Sequence, residues 1–151
     1  MNQTGISPEK LAAYQATHYR FGTGSVAVMM RIDVPCEELH RLYGDTGQTC
    51  GVFITGVNPF GKQQSEVANE AAHARLGQQL RALTRHVFDG EGVDPGGDWP
   101  PEKSYFALGI DAAKARELGT DFNQDAVVWT GPDRVPRLLL LRWASSTAKQ
   151  A

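Results

Sequence analysis

The residues best suited to chemistry are two side-chain amides and a lysine that surround an Asn-Pro step. Asn58-Pro59 ends an apolar, β-branched run, and Lys62 follows in the same loop. Asn69 falls in the first turns of the helix that is predicted to begin at Ser65. Free backbone N–H groups and the helix dipole favour negative charge at such a helix start. Two amides and a cation there would suit a small polar or anionic ligand.

The same residues also have a purely structural interpretation. Asn-Pro steps commonly form turns in which the Asn58 side chain bonds its own backbone, and Asn69 would then brace the loop. A phosphate-binding loop is not indicated, because the pattern GxxxxGK[ST] is absent. The sequence leaves the ligand-binding and the structural interpretation open.

Other chemistries are poorly supported by the residues present. The four histidines are scattered, and no HxH, HExxH or CxxC motif occurs, so we predict no metal site and no cofactor. Cys36 and Cys50 have no visible partner base and are predicted to be inert. No GxSxG motif supports a serine hydrolase. Glu102 is the one acid that we consider as a general base, and whether the protein is an enzyme stays open.

The composition is that of a packed globule. The chain has 151 residues, 41% of them hydrophobic, and a net charge of −2 from 15 basic and 17 acidic residues. We therefore predict a single globular domain over residues 1–151, with a frayed tail at 145–151. The near balance of charge disfavours nucleic acid as a partner. The polar N-terminus has no signal-peptide core and the run Leu138–Leu141 is too short for a membrane span, so the cytoplasm is the expected location.

Local signals predict the helices and strands that must position these residues. Helices are predicted to open at Ser7-Pro8, Pro35, Ser65 and Asp111, the second of them ending at Gly44 and the third near Leu83. Strands are predicted at Ser25–Asp33, Cys50–Val57, Ser104–Ile110, Ala126–Thr130 and Arg137–Trp143, with loops at Asp89–Pro101 and Gly131–Pro136. Alternation of these elements predicts an α/β fold of α+β-like character. Its mixed sheet of about five strands would pack with three to four helices and end in a C-terminal β-hairpin.

Helical periodicity orients the longest predicted helix. At about 100° per residue, a single stripe carries Asn69, Ala72, His73, Leu76, Leu80 and Leu83. Most of this stripe should pack on the sheet. Asn69, at its N-terminal end, is therefore predicted to face Asn58.

Several segments of the chain resemble a known family. They are ITGVNPFGKQQSEVAN (Ile54–Asn69), WPPEKSYFALGI (Trp99–Ile110), LGTDFNQDAVVW (Leu118–Trp129) and the opening AAYQATHYRF (Ala12–Phe21). They are similar to the bacterial family called domain of unknown function 3293. The resemblance implies a shared set of residues, which in this chain is Thr55, Asn58, Pro59, Ser65, Asn69, Glu102, Ser104, Phe122 and Gln124. An acid that often precedes the helix asparagine is Ala68 here. The family has no established activity, so the resemblance implies a fold and a choice of residues, not a reaction.

Strand direction decides whether these polar residues form one site. Glu102, Ser104 and Gln124 stand at the starts of predicted strands, whereas Thr55 and Asn58 stand at the end of one. If the strand that leads to Thr55 runs antiparallel to the others, all five share one edge of the sheet. If it runs parallel to them, they lie at opposite edges and a single site is not possible.

The favoured function is the binding of a small polar or nucleotide-like ligand. The ligand-binding residues would be Asn58, Asn69, Glu102, Ser104 and Gln124, with Thr55, Lys62 and Trp99 around them. Amides, a hydroxyl and a carboxylate suit a planar polar molecule such as a nucleobase or an amino acid. Trp99 would either close over the ligand or plug the edge of the core. The alternative is a protein-interaction or regulatory module in which the polar cluster is structural.

Overall fold

A computed structural model describes residues 5–142, which form four α-helices and seven β-strands. The helices are α1 (Pro8–Ala16), α2 (Glu38–Thr46), α3 (Glu66–Leu83) and α4 (Ala112–Asp121). The strands are β1 (His18–Phe21), β2 (Val28–Met30), β3 (Gly51–Ile54), β4 (Val87–Val93), β5 (Glu102–Leu108), β6 (Ala126–Thr130) and β7 (Arg137–Leu140). Short 3-10 turns lie at Gly24–Val26 and Pro59–Gly61. The predicted number of helices is confirmed.

Local capping explains why three helix starts are confirmed. Each of three N-cap side chains accepts a hydrogen bond from a backbone N–H in the first turn, and these caps are Ser7, Ser65 and Asp111. The second helix departs from its prediction, because α2 begins at Glu38 rather than Pro35 and continues through Gly44. It ends at Gly47, whose φ of 75° is left-handed.

All seven strands belong to one sheet, in the order β2-β1-β4-β5-β3-β6-β7. Every pairing in it is antiparallel. The prediction of a mixed sheet of about five strands is therefore wrong in strand number and in strand direction. The predicted C-terminal hairpin is confirmed, since β6 pairs directly with β7.

The two strands that the sequence did not reveal are β1 and β4. β1 has only four residues, too few to show a clear alternation. The second half of β4 is rich in glycine, which predicts a loop from Asp89, but the structure confines the loop to the residues after Val93. A Cβ at Gly90 would lie 2.6 Å from the carbonyl oxygen of Arg20, so close contact with β1 requires glycine there. The strand predicted at Ser25–Asp33 is limited to Val28–Met30.

Alternation along the strands gives the sheet two apolar faces. The face that carries Phe53, Phe106 and Val128, called the inner face here, shares a core cluster with Leu39 and Tyr43 of α2. The opposite, outer face carries Val52, Ile54, Tyr105, Ala107 and Val127, which cluster with Leu76 and Leu80 of α3 and with Ala115 and Leu118 of α4. Helices therefore lie on both faces, with α3 and α4 on the outer one.

The sheet curls into a half-barrel, so its two edge strands approach each other. Backbone N–H groups after β2, those of Asp33 and Cys36, donate to the carbonyls of Pro136 and Arg134 at 2.8 and 2.9 Å. These carbonyls belong to the loop between β6 and β7. Helix α2 fills one end of the half-barrel, and α1 lies over the other end.

Helix α3 follows its predicted phase over most of its length. Ala72, Leu76 and Leu80 are buried, but Leu83 is 46% exposed because the helix ends there. His73 stacks on Tyr105 of the outer face, with ring centroids 4.2 Å apart. No helix among residues 5–142 combines the length and the apolar content needed to cross a bilayer. Trp143 and the tail predicted from residue 145 lie outside the described residues.

Candidate functional site

A cavity of about 390 Å³ lies between α1 and the inner face of the sheet. Its apolar wall includes Tyr19, Phe53, Ala126, Val128 and Leu138. Its polar wall includes Thr55, Asn58, Glu102, Ser104 and Gln124. These polar residues share one edge because β3 is antiparallel to both β5 and β6. The antiparallel alternative, on which a single site depends, is the one that the structure adopts.

Glycine in β4 creates the space beside the polar wall. In the sheet register Gly92 lies between Glu102 of β5 and Tyr19 of β1, so no side chain separates them. A Cβ added at Gly92 would touch only the Thr17 methyl, at an ordinary 3.6 Å. The backbone therefore does not require glycine at this position, in contrast to Gly90. The space is a feature of the site and not a requirement of strand pairing.

Asn58 is the centre of the polar cluster. Its backbone is left-handed, with φ 49° and ψ 64°, a conformation that asparagine tolerates better than most residues. Its Nδ2 donates to Glu102 Oε2 at 3.0 Å. Its Oδ1 accepts from Asn69 Nδ2 at 3.0 Å and from the Gln64 backbone N–H at 3.2 Å. The side chain thus fixes the orientation of the Glu102 carboxylate.

Asn69 supports Asn58 and does not line the cavity. Its Oδ1 accepts from the Asn58 backbone N–H at 2.9 Å and from Gln64 Nε2 at 2.6 Å. The prediction that Asn69 faces Asn58 is confirmed by these contacts and by the amide–amide bond. Lys62 is exposed and is also absent from the cavity wall. The amides at the start of α3 therefore bond each other, and the cavity lies on the other side of Asn58.

The carboxyl group of Glu102 has few hydrogen-bond partners in the wall. Burial raises its pKa, and the hydrogen bond from Asn58 only partly offsets this effect. Among the described residues, Asn58 is the single donor to the carboxylate, and no cation forms an ion pair with it. The basic side chain of the wall, Lys10, bonds Asp125 at 2.8 Å instead. A carboxylate in this setting suits a ligand that brings its own N–H or O–H donors.

The remaining polar wall residues use their donors within the protein. Ser104 Oγ donates to the Glu102 carbonyl at 3.1 Å, and Thr55 Oγ1 donates to the Lys103 carbonyl at 2.6 Å. Gln124 is 7% exposed, and its Nε2 donates to the carbonyls of Val57 and Phe122. Its Oε1 receives no hydrogen bond from residues 5–142, which leaves an acceptor for the cavity.

Trp99 stands at the mouth of the cavity. It is 61% exposed, which rules out the alternative in which it plugs the core. Its loop is held by Asp94, whose carboxylate accepts from the backbone N–H groups of Gly96, Asp98 and Trp99. The indole is therefore presented on an ordered loop with a free face.

Asp125 is the residue that sequence reasoning missed. Its side chain is fully buried and accepts from Lys10 Nζ at 2.8 Å, Tyr14 OH at 2.6 Å and Arg142 Nε at 2.6 Å. Burial opposes its ionisation, but these three hydrogen bonds hold its pKa below the ordinary value. The Asp125 carboxylate bonds α1 to the start of β6 and so holds α1 over the cavity. The only sequence signal is its position directly after Gln124, because its partners are distant in the chain.

The loop after Asn58 is strained. Phe60 and Gly61 have φ of 55° and 74°, and a positive φ is costly for a bulky residue such as Phe60. Its N–H donates to the Asn123 carbonyl at 2.8 Å, and its carbonyl accepts from Lys10 at 2.7 Å. The Arg142 guanidinium lies 4.6 Å from its ring centroid. Neighbouring elements thus hold the loop that carries Asn58.

Metal and thiol chemistry have no support in the described residues. Within residues 5–142 no cluster of three or more His, Cys, Asp or Glu side chains is placed to hold a metal ion. Cys36 and Cys50 are free thiols. Burial raises the pKa of Cys36 to about 11 and also raises that of Cys50, so neither is an activated nucleophile.

Comparison with known proteins finds a match over part of the chain. The model of the family described as protein of unknown function (DUF3293) matches residues 54–127, and the chain is similar to that family over this segment. All eight predicted ligand-binding residues fall inside this segment, whereas α1 and the similar opening at Ala12–Phe21 fall outside it. No curated protein and no solved structure matches the chain.

Proposed function

We propose that this protein binds a small polar ligand in the cavity under α1, with Glu102, Ser104 and Gln124 as its polar contacts. The observation that carries the proposal is the half-buried Glu102 carboxylate, which has a raised pKa, one neutral donor and no cation among residues 5–142. Such a group is unfavourable for folding unless something binds it. Perturbed carboxyl groups in a cavity are characteristic of binding and catalytic sites.

The predicted ligand-binding residues have different roles in this proposal. Thr55, Glu102, Ser104 and Gln124 supply wall atoms. Asn58 touches the cavity but acts mainly by orienting Glu102, and Asn69 acts only through Asn58. Trp99 closes the mouth over the ligand. Lys62 is exposed and is not part of the proposed contact set.

The size of the cavity limits the ligand. A volume of about 390 Å³ falls at the lower end of the range of ligand pockets, roughly 300–1,000 Å³. A nucleobase, a nucleoside or an amino acid fits this range better than a larger cofactor. Cytoplasmic location, which the free thiols of Cys36 and Cys50 suit, remains part of the proposal.

One observation favours the alternative, a protein-interaction or regulatory module. Asn58, Asn69 and Gln64 saturate one another with hydrogen bonds, as a structural network would. This network explains the amides but leaves the Glu102 carboxylate and the empty space beside Gly92 without a structural purpose.

A thermal-shift panel of L-amino acids, nucleobases and nucleosides tests the proposal. A ligand of the folded state raises the melting temperature by mass action, equivalent to about 2.7 kcal/mol at a hundredfold excess over Kd. The control is Gly92→Leu, which is designed to place a side chain in the cavity and whose Cβ meets only the Thr17 methyl, at 3.6 Å. We expect at least one compound to stabilise the wild type and not Gly92→Leu. Equal shifts in both proteins, or no shift in either, would count against the proposal.

A further inference from the structure

The charged groups of the cavity wall are predominantly acidic. Glu9, Asp94 and Glu102 line the cavity, against a single basic side chain, Lys10. Lys10 is already neutralised, since its Nζ bonds the buried Asp125 at 2.8 Å and the Phe60 carbonyl at 2.7 Å. An anion entering this cavity would therefore meet repulsion and no free cation of the wall.

The part of the wall around Glu102 and Gln124 also offers more hydrogen-bond acceptors than donors. The hydroxyl groups of Ser104, Thr55 and Tyr14 all donate to protein groups. The amide N–H groups of Gln124 donate to two carbonyls, whereas its Oε1 has no donor among the described residues. The Glu102 carboxylate likewise receives one hydrogen bond from the described residues, although its two oxygens can accept several. A ligand that satisfies this part of the wall brings N–H groups.

The rest of the wall is apolar and partly aromatic. Phe53 is 4% exposed and Tyr19 is 7% exposed, and they meet edge to face with ring centroids 5.2 Å apart. Val128 and Leu138 continue this surface, and Trp99 stands at the mouth. A flat apolar body would be enclosed by these groups while its polar end reaches Glu102.

We propose, on the basis of the ligand-binding function above, that the cavity takes an N–H-bearing organic cation, an amine or amidinium on a flat apolar body, which pairs with Glu102 and donates to Gln124 Oε1. The pKa of Glu102 is raised by burial, and a cationic ligand beside the carboxylate would stabilise its ionised form. Charge-assisted hydrogen bonds are roughly twice as strong as neutral ones, so the preference for a cation should be measurable.

Three probes with one ring and different charge test this inference. Benzamidine is a cation, benzamide a neutral donor and benzoate an anion, and all three are planar and of similar size. Their dissociation constants are measured by NMR titration of the methyl signals of Val128 and Leu138. We expect benzamidine to bind the wild type about tenfold more tightly than benzamide, with benzoate weakest.

Two glutamate variants identify the group responsible. Glu102→Gln keeps an acceptor for Asn58 and removes the charge, so it should weaken benzamidine binding about tenfold and benzamide binding by a smaller factor. Glu91→Gln is the matched control, because it makes the same charge change on the exposed, opposite side of the neighbouring strand. We expect a less than about twofold effect there, by screening of an exposed charge.

The outcomes separate this inference from the proposed function. Benzamide or benzoate binding as tightly as benzamidine, and blocked by Gly92→Leu, would overturn the cation preference and leave ligand binding in the cavity intact. Benzamidine binding that Glu102→Gln does not change would overturn the assignment of the counter-charge. Absence of benzamidine binding at millimolar concentration would overturn the inference, and the panel of natural compounds would still decide the proposed function. The wild-type comparison of the three probes does not depend on the folding of any variant.

Discussion

At the scale of single residues, Glu102 and Asn58 have opposite relations to stability. Asn58 makes three side-chain hydrogen bonds in a left-handed conformation that suits asparagine. Glu102 places a carboxyl group on the inner face with one donor and a raised pKa. A residue that lowers the stability of the fold, as Glu102 does, is a stronger indication of function than one that raises it, as Asn58 does.

The replacement Glu102→Gln should not destabilise the protein. In the wild type the pKa of Glu102 is raised in the folded state. The contribution of Glu102 to stability is therefore fully present below the unfolded pKa and is lost as pH rises through the folded pKa. The neutral variant lacks this loss and should gain stability over the wild type as pH rises from acid to neutral. Urea unfolding across pH 4 to 8 measures the difference. A variant that is less stable than the wild type throughout would make the carboxylate structural.

The replacement Asn58→Ala should be strongly destabilising. It loses three side-chain hydrogen bonds, each worth about 1 kcal/mol, besides the roughly 1 kcal/mol cost of a left-handed alanine. The matched control is Asn123→Ala, whose φ is 56° but whose exposed side chain makes no hydrogen bond within residues 5–142. We expect Asn58→Ala to lower the free energy of unfolding by about 3 kcal/mol more than the control, from the three lost hydrogen bonds. Equal losses would show that backbone conformation alone selects asparagine.

Sequence reasoning recovered residues whose signals are local or shared by the family, and it missed Asp125. Asn58 and Asn69 are separated by one loop and one helical turn, so helical phase was enough to pair them. Asp125 bonds Lys10 and Tyr14, which lie more than a hundred positions earlier. No spacing rule connects such positions, and the fold must be known first.

At the scale of elements, three of the four helix starts were predictable and strand partners were not. Ser7, Ser65 and Asp111 carry their caps within one turn of the chain, so the sequence alone places these starts. The glycines of β4 predict a loop by propensity, yet pairing with β1 and β5 makes that segment a strand. Tertiary contacts overrode the local preference there.

Helix α1 depends on Asp125 for its position. The replacement Asp125→Asn removes the charge that holds Lys10 and Arg142, and breaking a buried pair in this way costs about 3–5 kcal/mol. Hydrogen exchange should show loss of protection in α1 before any loss in α3. Asp121→Asn, at the exposed end of α4, is the matched control. Unchanged protection of α1 would refute the anchoring role.

Asp125→Asn should also change how the free energy of unfolding depends on pH in the acid range. The folded pKa of Asp125 is depressed, so its stabilising contribution is present above the unfolded pKa and is lost as pH falls through the folded pKa. Wild-type stability should therefore fall in that acid range more steeply than that of Asp125→Asn. If the free energies of unfolding of the wild type and of Asp125→Asn fall with the same slope in acid, the ionised Asp125 contributes little to stability.

At the scale of the whole molecule, the curl of the sheet produces the site. The edges β2 and β7 approach through the Asp33–Pro136 and Cys36–Arg134 bonds, and α2 occupies one end of the half-barrel. The sequence predicted the polar edge but not the curl, because curl arises from contacts between strands at opposite ends of the sheet. The cavity under α1 is the part of the inner face that no helix fills.

A crystal structure of the protein with the most stabilising compound of the panel tests the central claim most directly. We expect the compound between α1 and the inner face, with a donor within about 3 Å of a Glu102 carboxylate oxygen. Trp99 should be in contact with it at the mouth of the cavity. A compound bound outside this cavity, or one inside it with no contact to Glu102, Ser104 or Gln124, would contradict the proposed function.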